Sequence, residues 1–181
     1  MRIAFDIDGV LIPSLQKIEQ IAQLFFEKPD FVINEYYAEH LNEERSVKQF
    51  LNSLYAMNDI LTITKPSLET VDIINRLKEK HEVFIITARP LEAYPGTLKQ
   101  CMFYFDIVPV FESKKVDFME RNAIRVLVED SLENAKSCAS SRRQIFLIDK
   151  PYNQGPLWGD MGRCVMRVNN LAEVEEWIQA V

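Results

Sequence analysis

The chain has 181 residues and a mass of 21.1 kDa, the size of one domain or of one domain carrying a modest insertion. With 48% hydrophobic and 27% charged residues, 5 Gly and 8 Pro, it excludes collagen-like, coiled-coil and disordered classes. Lys and Arg number 21 against 27 Asp and Glu, a net charge of −6 that argues against wrapping a nucleic-acid polymer but leaves room for a local pocket that takes one phosphate.

Three widely spaced cysteines, Cys101, Cys138 and Cys164, have no C-x-x-C pair, so neither a disulfide framework nor a zinc site is expected. They read as reduced thiols of a cytoplasmic protein. The N-terminus meets Asp6 after one short apolar run, so it has no signal-peptide core. No apolar run reaches the roughly 18 residues of a membrane span, and no membrane partner is expected.

In chain order, residues 3–5 form a first short apolar strand that ends in Asp6-Ile7-Asp8-Gly9-Val10. In open parallel sheets ligands bind beyond the carboxyl ends of the strands, so that position is informative. Residues i and i+2 of an extended chain point the same way, which predicts neighbouring carboxylates on Asp6 and Asp8. Two such charges call for a cation, and hard oxygen ligands suit Mg²⁺. Gly9 frees the backbone to turn sharply, although Asp and Gly also populate ordinary strand-end turns.

Residues 13–65 hold no strand pattern. They carry helical stripes at Leu15, Ile18, Ile21, Ala22 and Phe25, and at Val47, Phe50, Leu51 and Leu54, between Pro13 and Pro66. The segment is expected to be a small helical cap inserted after the first strand. Residues 67–80 then place Leu68, Val71, Ile74 and Leu77 on one stripe behind a Ser67 N-cap, the pattern of a crossover helix. A strand at 83–86 ends in Thr87-Ala88-Arg89, where the Thr87 hydroxyl and the free N–H groups beyond it, with Ala88 next in line, can hold phosphate oxygens.

A strand at 107–111 precedes Lys114 and Lys115, which open a helical pattern over 115–121. A further strand at 124–128 ends in Glu129-Asp130-Ser131 and leads into a helix over 131–139. Acid at a helix start is often only a cap, but here it also suits a metal shell. Strands at 145–148 and 165–168 flank a loop over 150–162 that follows Asp149, opens on Lys150-Pro151-Tyr152-Asn153 and contains Trp158. Strands alternating with helices predict right-handed βαβ units, hence an α/β fold: a Rossmann-like three-layer parallel sheet formed by residues 1–12 and 66–181, with 13–65 as the cap.

Three strand ends bearing acids and a hydroxyl on one sheet edge resemble the haloacid dehalogenase-like phosphohydrolase superfamily. Its motifs match Asp6-x-Asp8-Gly9-Val10, Thr87, a Lys, and Glu129-Asp130. The resemblance implies a Mg²⁺-dependent phosphomonoesterase in which Asp6 attacks phosphorus and Asp8 serves as general acid and then base. It places Asp6, Asp8, Asp130 and Glu129 around the metal, and Thr87, Ala88 and Lys114 around the phosphate, with Lys115 as the rival for the lysine. The stretch Pro151-Tyr152-Asn153 looks like that of the 5'(3')-deoxyribonucleotidase branch, which implies a nucleotide as the small phosphorylated substrate. Phe25, Phe26, Phe31, Tyr36 and Tyr37 then either stack the base or form the cap's own core. A sugar or other small organic phosphate is the alternative substrate, and a catalytically silent binding module the alternative role.

Overall fold

The computed structural model describes residues 1–25, 27, 29, 47–57, 61, 63–140, 142–157 and 161–180. Six strands form one parallel sheet: β1 (Arg2–Phe5), β2 (Glu82–Thr87), β3 (Val110–Phe111), β4 (Val126–Glu129), β5 (Gln144–Ile148) and β6 (Val165–Val168), in the order β3-β2-β1-β4-β5-β6. Registers such as Phe5 opposite Ile85 and Val128 bring the ends of β1, β2 and β4 to one edge. Strand order reverses at β1, which makes the β1/β4 boundary the crevice where a doubly wound sheet takes its ligand.

The strands are apolar on both faces because both faces are covered. Ile3, Phe5, Val126, Val128, Phe146 and Ile148 face α3 (Leu68–Lys80), α4 (Tyr94–Phe105) and α8 (Leu171–Ala180), which contribute Ile74, Leu77, Phe105, Val174 and Ile178. Ala4, Leu127, Ile145 and Leu147 face the other way, toward Met119 of α5 (Lys115–Arg121) and Ala135 and Cys138 of α6 (Leu132–Cys138). Each large side chain buried in this way stabilises the fold by roughly 1.5–3 kcal/mol relative to exposure. The crossover helix α3 starts as its sequence predicts, with the Ser67 Oγ accepting from Thr70 N at 3.0 Å. Strand β3 is shorter than the apolar run 107–111 predicts, because only Val110 and Phe111 pair with Ile86 and Thr87.

Within the segment 13–65, two helices are described: α1 (Ser14–Phe25) and α2 (Val47–Ala56). Leu15, Ile18, Ala22, Phe50, Tyr55 and Leu61 form an apolar cluster of their own, closed by Ala93 of a 3₁₀ turn (Leu91–Ala93) that follows β2. The expected aromatic residues Phe26, Phe31, Tyr36 and Tyr37, the Phe25 side chain, and Trp158 lie outside the described residues. The loop 150–162 carries a 3₁₀ turn (Pro151–Asn153) and a short helix α7 (Met161–Cys164). No helix among the described residues is long and apolar enough to cross a membrane.

Candidate active site

Asp6 directly follows β1, and its N–H still donates to Val128 O at 2.9 Å, so the ladder carries the residue to the sheet edge. The chain then folds back sharply: Leu11 N and Ile12 N both donate to Ile7 O, at 3.0 and 2.9 Å, and Gly9 N donates to Ile12 O at 2.8 Å. Gly9 sits at φ +78, a conformation that favours a residue without a Cβ. The loop delivers Ser14 to the start of α1.

Asp6, Glu129 and Asp130 converge in the crevice, with ligand oxygens all within 4.8 Å of one another, and each residue is buried. Lys115 is the counter-charge. Its Nζ donates to Asp6 Oδ1 at 2.6 Å and to Glu129 Oε2 at 2.8 Å, and Asn134 Nδ2 occupies Glu129 Oε1 at 2.6 Å. Tyr152 donates its hydroxyl to Asp130 Oδ2. Burial pushes the Asp6 carboxyl up to about 7 against the pull of Lys115, with Glu129 and Asp8 adding to the rise. Asp130 is likewise raised, by burial and then by Glu129 and Asp6, while Lys115 is raised because those carboxylates outweigh its own burial. Three buried carboxylates facing one ammonium leave surplus negative charge in a low-dielectric site, a donor set suited to a divalent cation with oxygen ligands.

Asp8 stands apart from that cluster. Arg89 forks onto it, Nε to Oδ2 at 2.8 Å and Nη2 to Oδ1 at 2.7 Å, and the Ser14 hydroxyl donates to Oδ1 as well. Burial raises this carboxyl, but Arg89 outweighs it and holds Asp8 below the usual range, ionised. Asp6 and Asp8 line the same cavity, and the bidentate guanidinium engages both oxygens of Asp8. Arg89 is itself buried, with Nη1 donating to Thr97 Oγ1 and Gln100 Oε1, both at 3.1 Å, and its guanidinium carbon 5.0 Å from the Tyr55 ring centroid. Gln100 Nε2 continues to Leu61 O at 3.1 Å and Thr64 O at 2.9 Å, tying the network to the end of the insertion.

The two lysines part company. Lys115 is 3% exposed and points at Asp6, whereas Lys114 is the exposed N-cap of α5 and reaches none of the carboxylates of the crevice. The structure thus puts Lys115, and not the expected Lys114, next to Asp6, because the helix begins at Lys115 and its first side chain folds back over the sheet edge. Thr87 is buried at the end of β2, where its Oγ1 accepts from Arg89 N at 3.2 Å, and Ala88 is exposed beside it. Asp6, Asp8, Thr87, Ala88, Lys115, Glu129 and Asp130 all line one cavity of about 240 Å³, to which α2 adds Asn52 and Tyr55. Arg89, Tyr152 and Ser14 are absent from the sequence-based site. The signal that points to Arg89 is a cation directly after a strand end, in Thr87-Ala88-Arg89-Pro90; Tyr152 is marked only as part of the stretch Pro151-Tyr152-Asn153.

No family model matches the chain, and no curated protein matches it. Solved structures do. A haloacid dehalogenase family hydrolase from Deinococcus radiodurans R1, solved with bound phosphate and sodium, superposes with a TM-score of 0.67 at 14% identity, over 99% of this chain and 95% of that one. A haloacid dehalogenase-like hydrolase from Streptococcus pneumoniae gives 0.63 at 13% identity over 98% of both chains. A phospho-aspartyl intermediate analogue of phosphoserine phosphatase gives 0.59 at 13% identity over 97% of both. Six parallel strands, near-complete coverage and acids at the ends of β1 and β4 lead to one conclusion: the chain has the fold of the haloacid dehalogenase-like hydrolases.

Proposed function

We propose that the chain hydrolyses small phosphomonoesters, with Asp6 as nucleophile. The observation that carries the reading is the Asp6 carboxylate, facing the cavity and flanked by Lys115 on one side and by the acids of β4 on the other. In this reading an oxygen of Asp6 bonds to phosphorus as the ester oxygen leaves, and water then cleaves the resulting aspartyl-phosphate, so two easier steps replace one. The likeness to a phospho-aspartyl analogue of phosphoserine phosphatase supports it. Asp6 and Asp130 hold a divalent cation, taken as Mg²⁺, which supplies charge neutralisation for the phosphoryl group. Glu129 has both oxygens engaged by Lys115 and Asn134, so its role is to set Lys115 in place.

Lys115, the Thr87 hydroxyl and the N–H of Ala88 hold the phosphoryl oxygens, positioning that supplies much of the catalysis in phosphoryl transfer. Asp8 is ionised under Arg89, so it can give a proton to the leaving oxygen only after it has taken one up, and either exchange first requires the fork to open. Residues 1–12 and 66–181 form the catalytic unit, and 13–65 the cap that selects the leaving group through residues such as Asn52 and Tyr55. Three buried free thiols suit the cytoplasm.

A nucleotide is one candidate substrate, on the strength of the Pro151-Tyr152-Asn153 stretch. A sugar or other small organic phosphate is the other candidate, for the same cavity of about 240 Å³. Phosphate release from a panel of nucleotides and sugar phosphates, with Mg²⁺ and with chelator, tests the reading. Turnover is expected only with metal and is expected to vanish in Asp6→Asn; near-normal turnover by pure Asp6→Asn protein overturns it.

A further inference from the structure

We infer that Tyr152 is a positioning residue for the metal ligand Asp130, held in place by a clasp that Asn153 and Arg167 of the edge strand β6 close. The inference rests on the proposed metal site and adds a residue that the fold's strand-end pattern does not include.

Asp130 follows β4 with nothing on its own strand to orient its carboxylate. The orientation comes from the 3₁₀ turn Pro151–Asn153 beyond β5. Asn153 is 1% exposed, and its Nδ2 donates to Asp130 O and to Ile148 O, both at 2.7 Å, which pins the residue after β4 to the end of β5. With the backbone fixed, the Tyr152 hydroxyl donates to Asp130 Oδ2. Gly9 also adjoins it, so close that a Cβ there would stand 1.9 Å from Asp130 Oδ2 and 3.0 Å from the Tyr152 hydroxyl. One carboxylate oxygen is therefore confined between a hydroxyl and bare backbone, which removes rotamer freedom the ligand would otherwise lose on binding a cation.

The turn is closed by its own bonds, Asn153 N to Lys150 O and Lys150 N to Asn153 Oδ1, both at 3.1 Å, and a neighbouring strand adds to them. Arg167 of β6 donates Nη1 to Asn153 Oδ1 at 2.9 Å and to Asp149 Oδ1 at 3.1 Å, and Nη2 to Gly155 O at 2.8 Å and to Asn153 O. A guanidinium presents several donors in a rigid fork, the geometry needed to hold several acceptors of one turn at once. The Tyr152 ring packs against the apolar cluster of α1 and α2, so a single side chain touches both the helical insertion and the metal ligand.

The test separates ring from hydroxyl. Mn²⁺ binding is measured directly, from the loss of the free-ion paramagnetic resonance signal on titration, for the whole chain and for Tyr152→Phe, with melting in chelator recorded alongside. Loss of such a hydrogen bond to a ligating group typically costs 10–100-fold in metal affinity. The expected result is a Kd for Mn²⁺ raised by about that factor in Tyr152→Phe, with the metal-free melting temperature little changed, since the ring remains. Arg167→Gln, which loosens the clasp and keeps the hydroxyl, is expected to weaken Mn²⁺ binding by a smaller factor and carries the test if Tyr152→Phe does not fold. A normal Kd in whichever of the two folds overturns the clasp while leaving the metal site standing. Absence of Mn²⁺ binding by the unmutated chain overturns the metal site itself, and the clasp with it.

Discussion

Replacing Gly9 by Ala is expected to damage the fold and the metal site together, because both meet at one missing methyl. The backbone there is at φ +78, which costs a residue with a Cβ about 1–2 kcal/mol. The new Cβ would lie 1.9 Å from Asp130 Oδ2 and 2.7 Å from its Cγ, and Asp130 cannot swing aside without leaving Tyr152 and moving against Asn153. Overpacking of that kind typically costs about 1–3 kcal/mol, so the sum is roughly 2–5 kcal/mol. At about 2–4 °C per kcal/mol for a chain of this size, melting falls by roughly 4–20 °C. Two other glycines serve as controls. At Gly155 a Cβ meets only Leu132 Cδ2 at 2.6 Å, the end of a flexible side chain, and at Gly162, in α7, it meets nothing nearer than Leu157 O at 3.5 Å. Gly155→Ala should cost less than Gly9→Ala, and Gly162→Ala should be neutral or slightly stabilising. Calorimetric melting in chelator, followed by Mn²⁺ titration, measures both effects. A Gly9→Ala protein that melts within about 2 °C of the original, or that binds Mn²⁺ normally, would refute the reasoning.

Lys115→Met leaves Asp6 and Glu129 buried without their cation and should cost about 3–5 kcal/mol in denaturant unfolding, part of it recovered with divalent metal; exposed Lys114→Met should stay within about 0.5 kcal/mol. Arg89→Met should cost a similar 3–5 kcal/mol by stranding Asp8, and the double variant with Asp8→Asn should cost less than the two singles added, by about 1–3 kcal/mol; strict additivity would argue that the fork is not coupled. Away from the site, two hydrogen bonds from Arg76, each 2.7 Å, outweigh burial and hold the Glu175 carboxyl below its usual 4.5. A depressed carboxyl stabilises above its unfolded value and stops doing so as pH falls through the folded one. Glu175→Gln should therefore melt below the original chain at pH 7, and the gap should close as the pH drops below about 4.5; a gap that persists at low pH would point to packing alone.

Much of the architecture is legible along the chain. Apolar runs of three to five residues that end in Asp6, Thr87 and Glu129-Asp130 announce parallel strands buried on both faces, and strand periodicity is a local property that neighbouring side chains encode. The Asp6-x-Asp8-Gly9 turn is equally local: a nucleophile candidate, a second acid and the one residue type that tolerates its backbone stand within four positions. The Ser67 N-cap is read the same way.

What the linear pattern leaves open is which charge answers which. Lys114 and Lys115 are adjacent and chemically identical, and only the start of α5 decides that Lys115 turns inward to an aspartate 109 positions away. The pair Arg89–Asp8 spans 81 positions, so no period or spacing could indicate that a guanidinium engages both oxygens of Asp8. Tyr152 reaches Asp130 across 22 positions, from a turn whose Pro and Asn look like ordinary loop chemistry. Strand order is the common cause. By setting β4 beside β1 and β5 beside β4, the sheet brings remote strand ends within hydrogen-bond reach, and buried charge then selects its partner by desolvation and geometry, neither of which exists until the layers close.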